Sequence, residues 1–184
     1  MRTLLELSES EVLQNDRHAF NSAVWEKVLA NPYYQEVEGR IETNALGEVI
    51  MSPPPAPEHG QKQSEIAFRL RSLLSEGRPI TECPLSTTDG VRAIDVAWVS
   101  FERLKLRRNA NAFTHAPEIC VEVISPSNTH QEMAHKKELY FEAGAQEVWF
   151  CSDEGRMIFH LKEVPDQTSS SKLVPDMPLQ IETF

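Results

Sequence analysis

Glu118-Ile119-Cys120-Val121-Glu122-Val123-Ile124-Ser125-Pro126-Ser127 is the stretch whose reading decides the fold of this chain. Its first seven residues are apolar or β-branched apart from two glutamates, the composition of a strand buried at the centre of a sheet. Pro126 ends that strand sharply. Asn128 to Ala143 then reads as a helix with Gly144 at its C-terminal boundary, so the chain folds back and this helix starts near the strand's C-terminal end. Upstream, Ala93-Ile94-Asp95-Val96-Ala97-Trp98-Val99 is a second run of the same kind, again with a carboxylate inside it. Downstream, Glu147 to Cys151 and Arg156 to Leu161 form a hairpin turning at Asp153-Glu154-Gly155. Strand, strand, helix, strand, strand, preceded by helices, describes an α/β (α+β) layer with a central mixed β-sheet flanked by helices.

Outward from this centre, the Ser-x-x-Glu spacing of Ser8 to Glu11 predicts a helix start. A second helix is expected over Asp16 to Ala30, stopped by Asn31-Pro32. Short strands are expected at Tyr34 to Glu42 and Glu48 to Met51, with turn residues Asn44 to Gly47 between them. Ser52 to Pro57, rich in proline, is a stiff linker or a peptide-recognition ligand. A helix is expected from Glu58 to Glu76, and a short strand interrupted by Pro84 from Ile80 to Leu85. Residues 165–172 are expected to be mobile. The expected division is a helical extension over residues 1–32 and a single domain over residues 33–184.

The 184 residues carry 18 basic against 28 acidic side chains, a net charge of −10. That balance disfavours a broad basic face for nucleic acid but leaves room for a local cationic cleft, with Arg69, Arg71, Arg92, Arg107 and Arg108 as candidates. No apolar run approaches the roughly 20 residues that span a bilayer, and the N-terminus lacks the pattern of a signal peptide. Cys83, Cys120 and Cys151 are widely spaced and make no CxxC pair. They read as reduced thiols in a cytoplasmic protein.

A carboxylate inside an apolar strand is costly unless it is paired, protonated or bound to a cation. Asp95 and Glu122 both pose that problem. On neighbouring strands they would converge on one hard cation such as Mg²⁺; otherwise they are acids on a polar sheet face. Glu132, Lys136 and Tyr140 follow at four-residue intervals on one helix face. Glu132–Lys136 is either a solvated surface pair, or Lys136 faces the carboxylates and offsets charge developing on a phosphate. In that case Glu132 would hold Lys136 in place.

The series Ala116 to Ser127 resembles the strand motif of the Uma-type restriction-endonuclease-like family of the PD-(D/E)XK nuclease superfamily. Val37-Glu38-Gly39, Met51-Ser52-Pro53-Pro54, His59, Arg92-Ala93-Ile94-Asp95-Val96, Lys136 to Tyr140 and Ala143 to Trp149 continue the resemblance in order and spacing. It covers roughly residues 33 to 153. It implies a Mg²⁺- or Mn²⁺-dependent endonuclease acting on DNA. Asp95 and Glu122 would be metal ligands, the Val123 carbonyl an additional one, and Lys136 the catalytic cation, since Ile124 stands where the superfamily usually has its lysine.

Gln35 replaces a glutamate common in the family; if that glutamate assists the metal site, its loss weakens the site, with Glu38 or Glu65 as candidate substitutes. Ile94 replaces a common proline. His59 would contact phosphate or cap the helix that follows it; Tyr140 and Trp149 read as core and site-supporting residues. The alternative is a catalytically weak or inactive nuclease-fold module engaged in dimeric protein or DNA interaction, or a subunit that borrows a DNA-binding surface from a partner. A homodimer is expected, because closed two-fold dimers are the commonest oligomers and duplex cutting needs two sites. Lys136→Ala is expected to abolish cleavage while changing stability little.

Overall fold

The computed structural model describes residues 9–107 and 110–182. Its centre is a six-stranded mixed sheet of β3 (Gly77–Thr87), β4 (Gly90–Ser100), β5 (Ile119–Val123), β6 (Glu147–Cys151), β7 (Met157–Leu161) and β8 (Val164–Thr168), in that spatial order. Every neighbouring pair is antiparallel except β5 and β6. That parallel pair requires a crossover, which α5 (His130–Glu142) supplies. A separate hairpin joins β1 (Arg40–Thr43) to β2 (Val49–Ser52). The remaining helices are α1 (Glu9–Ala30), α2 (Pro32–Gln35), α3 (Pro57–Leu73) and α4 (Phe101–Arg107).

Each face of the sheet has its own core. On one, Ile66 and Leu70 of α3 pack with Val96, Trp98, Val121, Val123 and Trp149. On the other, Met133, Leu139 and Tyr140 of α5 pack with Ala97, Val99, Cys120 and Val148. The alternation along β4 and β5 explains why both strands read as nearly continuous apolar runs: each is covered on both sides. A third cluster, Trp25, Val28 and Val91, seats α1 against β4.

Several expectations need correction. One continuous helix, α1, replaces the two expected before Asn31; Ser8, the expected cap, lies outside the described residues. Tyr34 to Glu42 is not one strand, because Asn31 caps the short helix α2 before β1 begins at Arg40. β3 runs for 11 residues straight through Pro84. It tolerates proline because it is the edge strand, where a missing N–H breaks no ladder, and the Pro84 carbonyl still accepts from Phe113 N at 2.8 Å. α4 was not foreseen. The segment expected to be mobile supplies β8, and Ser171 just after it is buried.

Two glycines are required by position. Gly39, at φ +119°, lies so close to the Ser52 carbonyl that a Cβ would collide with it. Gly144, at φ +103°, ends α5 with the His115 ring 2.5 Å from where a Cβ would stand.

Candidate active site

β4 and β5 pair only from Trp98↔Ile119 to Val96↔Val121, although β4 continues toward Gly90. One step beyond the last pair, Asp95 comes opposite Glu122. There the strands part. The wedge between them is closed by side chains instead of ladder bonds: Val123 N donates to Asp95 Oδ2 at 2.6 Å, Ala93 N to Glu42 Oε1 at 2.8 Å, and Val91 N to Thr43 Oγ1 at 2.9 Å. Buried backbone donors demand such partners, so β1 is held beside β4 and delivers Arg40 and Glu42 to the wedge.

Asp95 is 1% exposed and Glu122 2%. The Asp95 Oδ1 atom faces Arg40 Nη2, His59 Nε2 at 3.1 Å and Gln63 Nε2 at 3.1 Å. Glu122 Oε1 accepts from the Tyr140 hydroxyl at 2.7 Å, and Oε2 from Lys136 Nζ at 2.9 Å. Lys136 Nζ also lies 3.8 Å from Glu42, which pairs with Arg92 at 3.6 Å.

The two carboxylates are driven apart electrostatically. Burial pushes Asp95 up, but the His59 hydrogen bond and the Arg40 guanidinium prevail and bring it to about 2. Burial pushes Glu122 up as well; Lys136 pulls it down, the Asp95 charge pushes it up again, and it stands at about 7. Lys136 is raised: burial opposes its charge, but Glu122 and Glu42 more than compensate. Two acids whose environments separate them in this way are a signature of functional sites.

The separation has a consequence for folding. A glutamate raised from 4.5 to about 7 binds its proton more tightly folded than unfolded. Its stabilising effect is therefore complete below the unfolded value and lost as pH rises through the folded one. Asp95, ionised in both states across that window, adds no slope. Urea unfolding of the metal-free protein should show wild type losing roughly 2 kcal/mol relative to Glu122→Gln between about pH 5 and pH 8. A pH-independent difference would contradict it.

Of the other residues singled out from sequence, Glu132 does not hold Lys136. It is exposed and accepts from Asn128 Nδ2 at 3.2 Å, because Thr129 caps α5 and places Glu132 on its outward first turn. Lys136 itself is not a surface lysine but 7% exposed, so the expectation of a small stability effect on its removal is withdrawn. His59 neither caps α3, whose N-cap is Ala56, nor stands free; it is bonded to Asp95. Gln35 donates to Leu29 O at 2.9 Å at the end of α1. Glu38 is exposed and, among the described residues, makes no hydrogen bond or ion pair. Glu65 pairs with Arg69 on α3.

Of the expected cleft arginines, only Arg92 reaches the wedge, through Glu42. Arg71 donates to Gly77 O and Arg107 to Ala110 O, while Arg108 lies outside the described residues. Sequence reading missed Arg40, Glu42, Gln63 and Glu82. Arg40 follows Gly39 in a motif that was noticed, but nothing local announced that β1 would lie beside β4. All three cysteines are free and buried; burial pushes Cys83 to about 12 and Cys151 to about 11, which makes them poor nucleophiles.

Among the described residues, no group of three or more His, Cys, Asp or Glu is arranged to hold a metal. The donor pair nonetheless suits a hard cation. Asp95 Oδ2 and both Glu122 oxygens each meet one donor, so each keeps acceptor capacity. The repulsion that raises Glu122 is what a cation would relieve.

Fold and wedge together define an α/β protein of restriction-endonuclease-like architecture. The chain belongs to the Uma2 family, described as "Putative restriction endonuclease", whose profile matches residues 25–183. It also resembles the crystal structure of a "putative nuclease belonging to DUF820" from Anabaena variabilis ATCC 29413. That likeness, at 21% identity and TM-score 0.58 over 73% of this chain and 79% of the other, concerns the fold. No curated protein matches the chain. Among the described residues, no helix is long and apolar enough to cross a membrane.

Proposed function

We propose that the chain is a divalent-metal-dependent endonuclease hydrolysing DNA phosphodiester bonds, with Asp95 and Glu122 as ligands for Mg²⁺ or Mn²⁺. The observation that carries this reading is the meeting of Asp95, Glu122 and Lys136 at the point where β4 and β5 part. The bound ion would supply a Lewis acid for the scissile phosphate and an acidified water. Tyr140 fixes the Glu122 carboxylate on one oxygen and Lys136 on the other. Lys136 thereby stands ready to offset negative charge developing on a phosphate beside Glu122. His59 and Gln63 orient Asp95. The Val123 carbonyl is assigned as a further ligand by family resemblance.

With a net charge of −10, DNA binding should be confined to the site and its rim. A two-fold homodimer would present two such sites, and light scattering at micromolar concentration tests it. The three buried thiols are consistent with a cytoplasmic setting.

The test is cleavage of supercoiled plasmid with Mg²⁺ and with Mn²⁺, beside Asp95→Ala. Nicking or linearisation by wild type, lost in Asp95→Ala and on chelation, is the expected result. Equal cleavage by both proteins would point to a contaminant and reject the assignment. A second reading, a nuclease fold retained for DNA or protein interaction, is favoured by the ion pair between Arg40 and Asp95. DNA retention without cleavage in either metal would support it.

A further inference from the structure

Arg40 enters the wedge from β1, which belongs to the two-stranded hairpin and not to the main sheet. Its Nε donates to Glu82 Oε2 at 3.0 Å and its Nη2 to Glu82 Oε1 at 2.9 Å, while Nη2 also meets Asp95 Oδ1. Glu82 lies on β3 between Thr81 and Cys83, which pair with Val96 and Ile94, so it stands level with Asp95. It is the one described non-glycine residue in the left-handed region, at φ 49°, where the β3–β4 pairing is interrupted. Gln63 Nε2 bridges the same two carboxylates, at 2.7 Å to Glu82 and 3.1 Å to Asp95. Glu82, Asp95 and Glu122 therefore form one row of carboxylates across β3, β4 and β5. Such a row is relieved by a proton or by a cation, and the chain supplies a cation itself.

We infer that Arg40 is the resident counter-ion of this row and competes with a divalent metal for Asp95, so that the metal binds only when the guanidinium withdraws. The inference rests on the reading of Asp95 as a metal ligand. A planar fork bonded to Glu82 on two nitrogens is a strong, geometrically specific contact. It leaves Asp95 Oδ1 facing Arg40, His59 and Gln63 at once, more donors than its two lone pairs serve. An incoming dication would meet a fixed positive charge at contact distance and a saturated Oδ1, with Oδ2 alone keeping acceptor capacity. Lys136, by contrast, pairs with Glu122 and Glu42 and leaves Asp95 alone. Of the wedge's arginines and lysines, Arg40 is therefore the one that meets Asp95, sharing Oδ1 with His59 at 3.1 Å.

The experiment is calorimetric titration of the full chain with Mn²⁺, for wild type, Arg40→Met, Arg40→Lys and Arg40→Met/Asp95→Asn. Methionine keeps the apolar stem and removes the charge; Arg40→Met should bind Mn²⁺ at least about tenfold more tightly. The gain should vanish in the double variant. Arg40→Lys keeps a charge but cannot form the fork, and should show a smaller gain; if Arg40→Met does not fold, this variant decides. Equal or weaker affinity in the Arg40 variants overturns the inference and leaves the metal-site reading standing. Absence of Mn²⁺ binding in every protein overturns both.

Discussion

Lys136→Ala is expected to lose plasmid cleavage by about 10³-fold, the scale seen when one preorganised electrostatic donor is removed from an active site. It is also expected to lose about 3 kcal/mol of folding stability. The second effect follows from burial. Lys136 is 7% exposed, with its Nζ 2.9 Å from a Glu122 carboxylate that water does not reach. Removing one partner of a buried pair leaves the other uncompensated, which costs more than the pair contributes. Lys137, rotated by about 100° on the same helix, makes no ion pair or hydrogen bond among the described residues. Lys137→Ala should be near neutral in both measurements. Cleavage by Lys136→Ala at the wild-type rate, measured below its unfolding midpoint, would remove Lys136 from the catalytic assignment.

Glu147→Ala should destabilise the protein by about 4 kcal/mol or more, a fall in Tm of about 10 °C for a chain of this size. Glu147 is 2% exposed at the start of β6, and among the described residues it has no ion-pair partner. Four neutral donors hold it instead. Trp149 Nε1 and Ser171 Oγ reach Oε2 at 2.7 Å each, while Lys172 N and Leu173 N reach Oε1 at 2.8 and 2.7 Å. These bonds fasten the C-terminal segment whose Val174, Met177 and Ile181 complete the core beneath β6 and β7. Alanine would orphan two half-buried backbone N–H groups and two side-chain donors, with a buried orphan costing about 1–3 kcal/mol. Glu147→Gln, which keeps an acceptor, should lose about half as much. A melting temperature unchanged in Glu147→Ala would show that the segment docks without this clamp.

What could be read along the chain was whatever depends on near neighbours. The apolar runs around Asp95 and Glu122, the proline that stops one of them, and the glycine that closes α5 are local signals. They were enough to place the central strands and the crossover helix. The four-residue spacing of Lys136 and Tyr140 was enough to put both on one face, because helical geometry repeats regardless of context. Capping and turn chemistry went less far: it proposed two helices where α1 is one, and read Pro84 as an interruption.

Tertiary structure alone decided what fills the wedge between β4 and β5. Arg40, Glu42, Gln63 and Glu82 lie on β1, α3 and β3, and each meets Asp95, Lys136 or another wedge residue only because β4 outruns β5 and leaves unpaired backbone to be covered. No local periodicity encodes that mismatch in strand length. The burial of Lys136 and the clamp at Glu147 have the same origin. A lysine on a polar helix and a glutamate at a strand start look solvated in sequence, and become buried only when a second layer closes over them. The sequence by itself determined the alternation of strands and helices and the acids set into the central strands. The tertiary structure determined which charges those acids face.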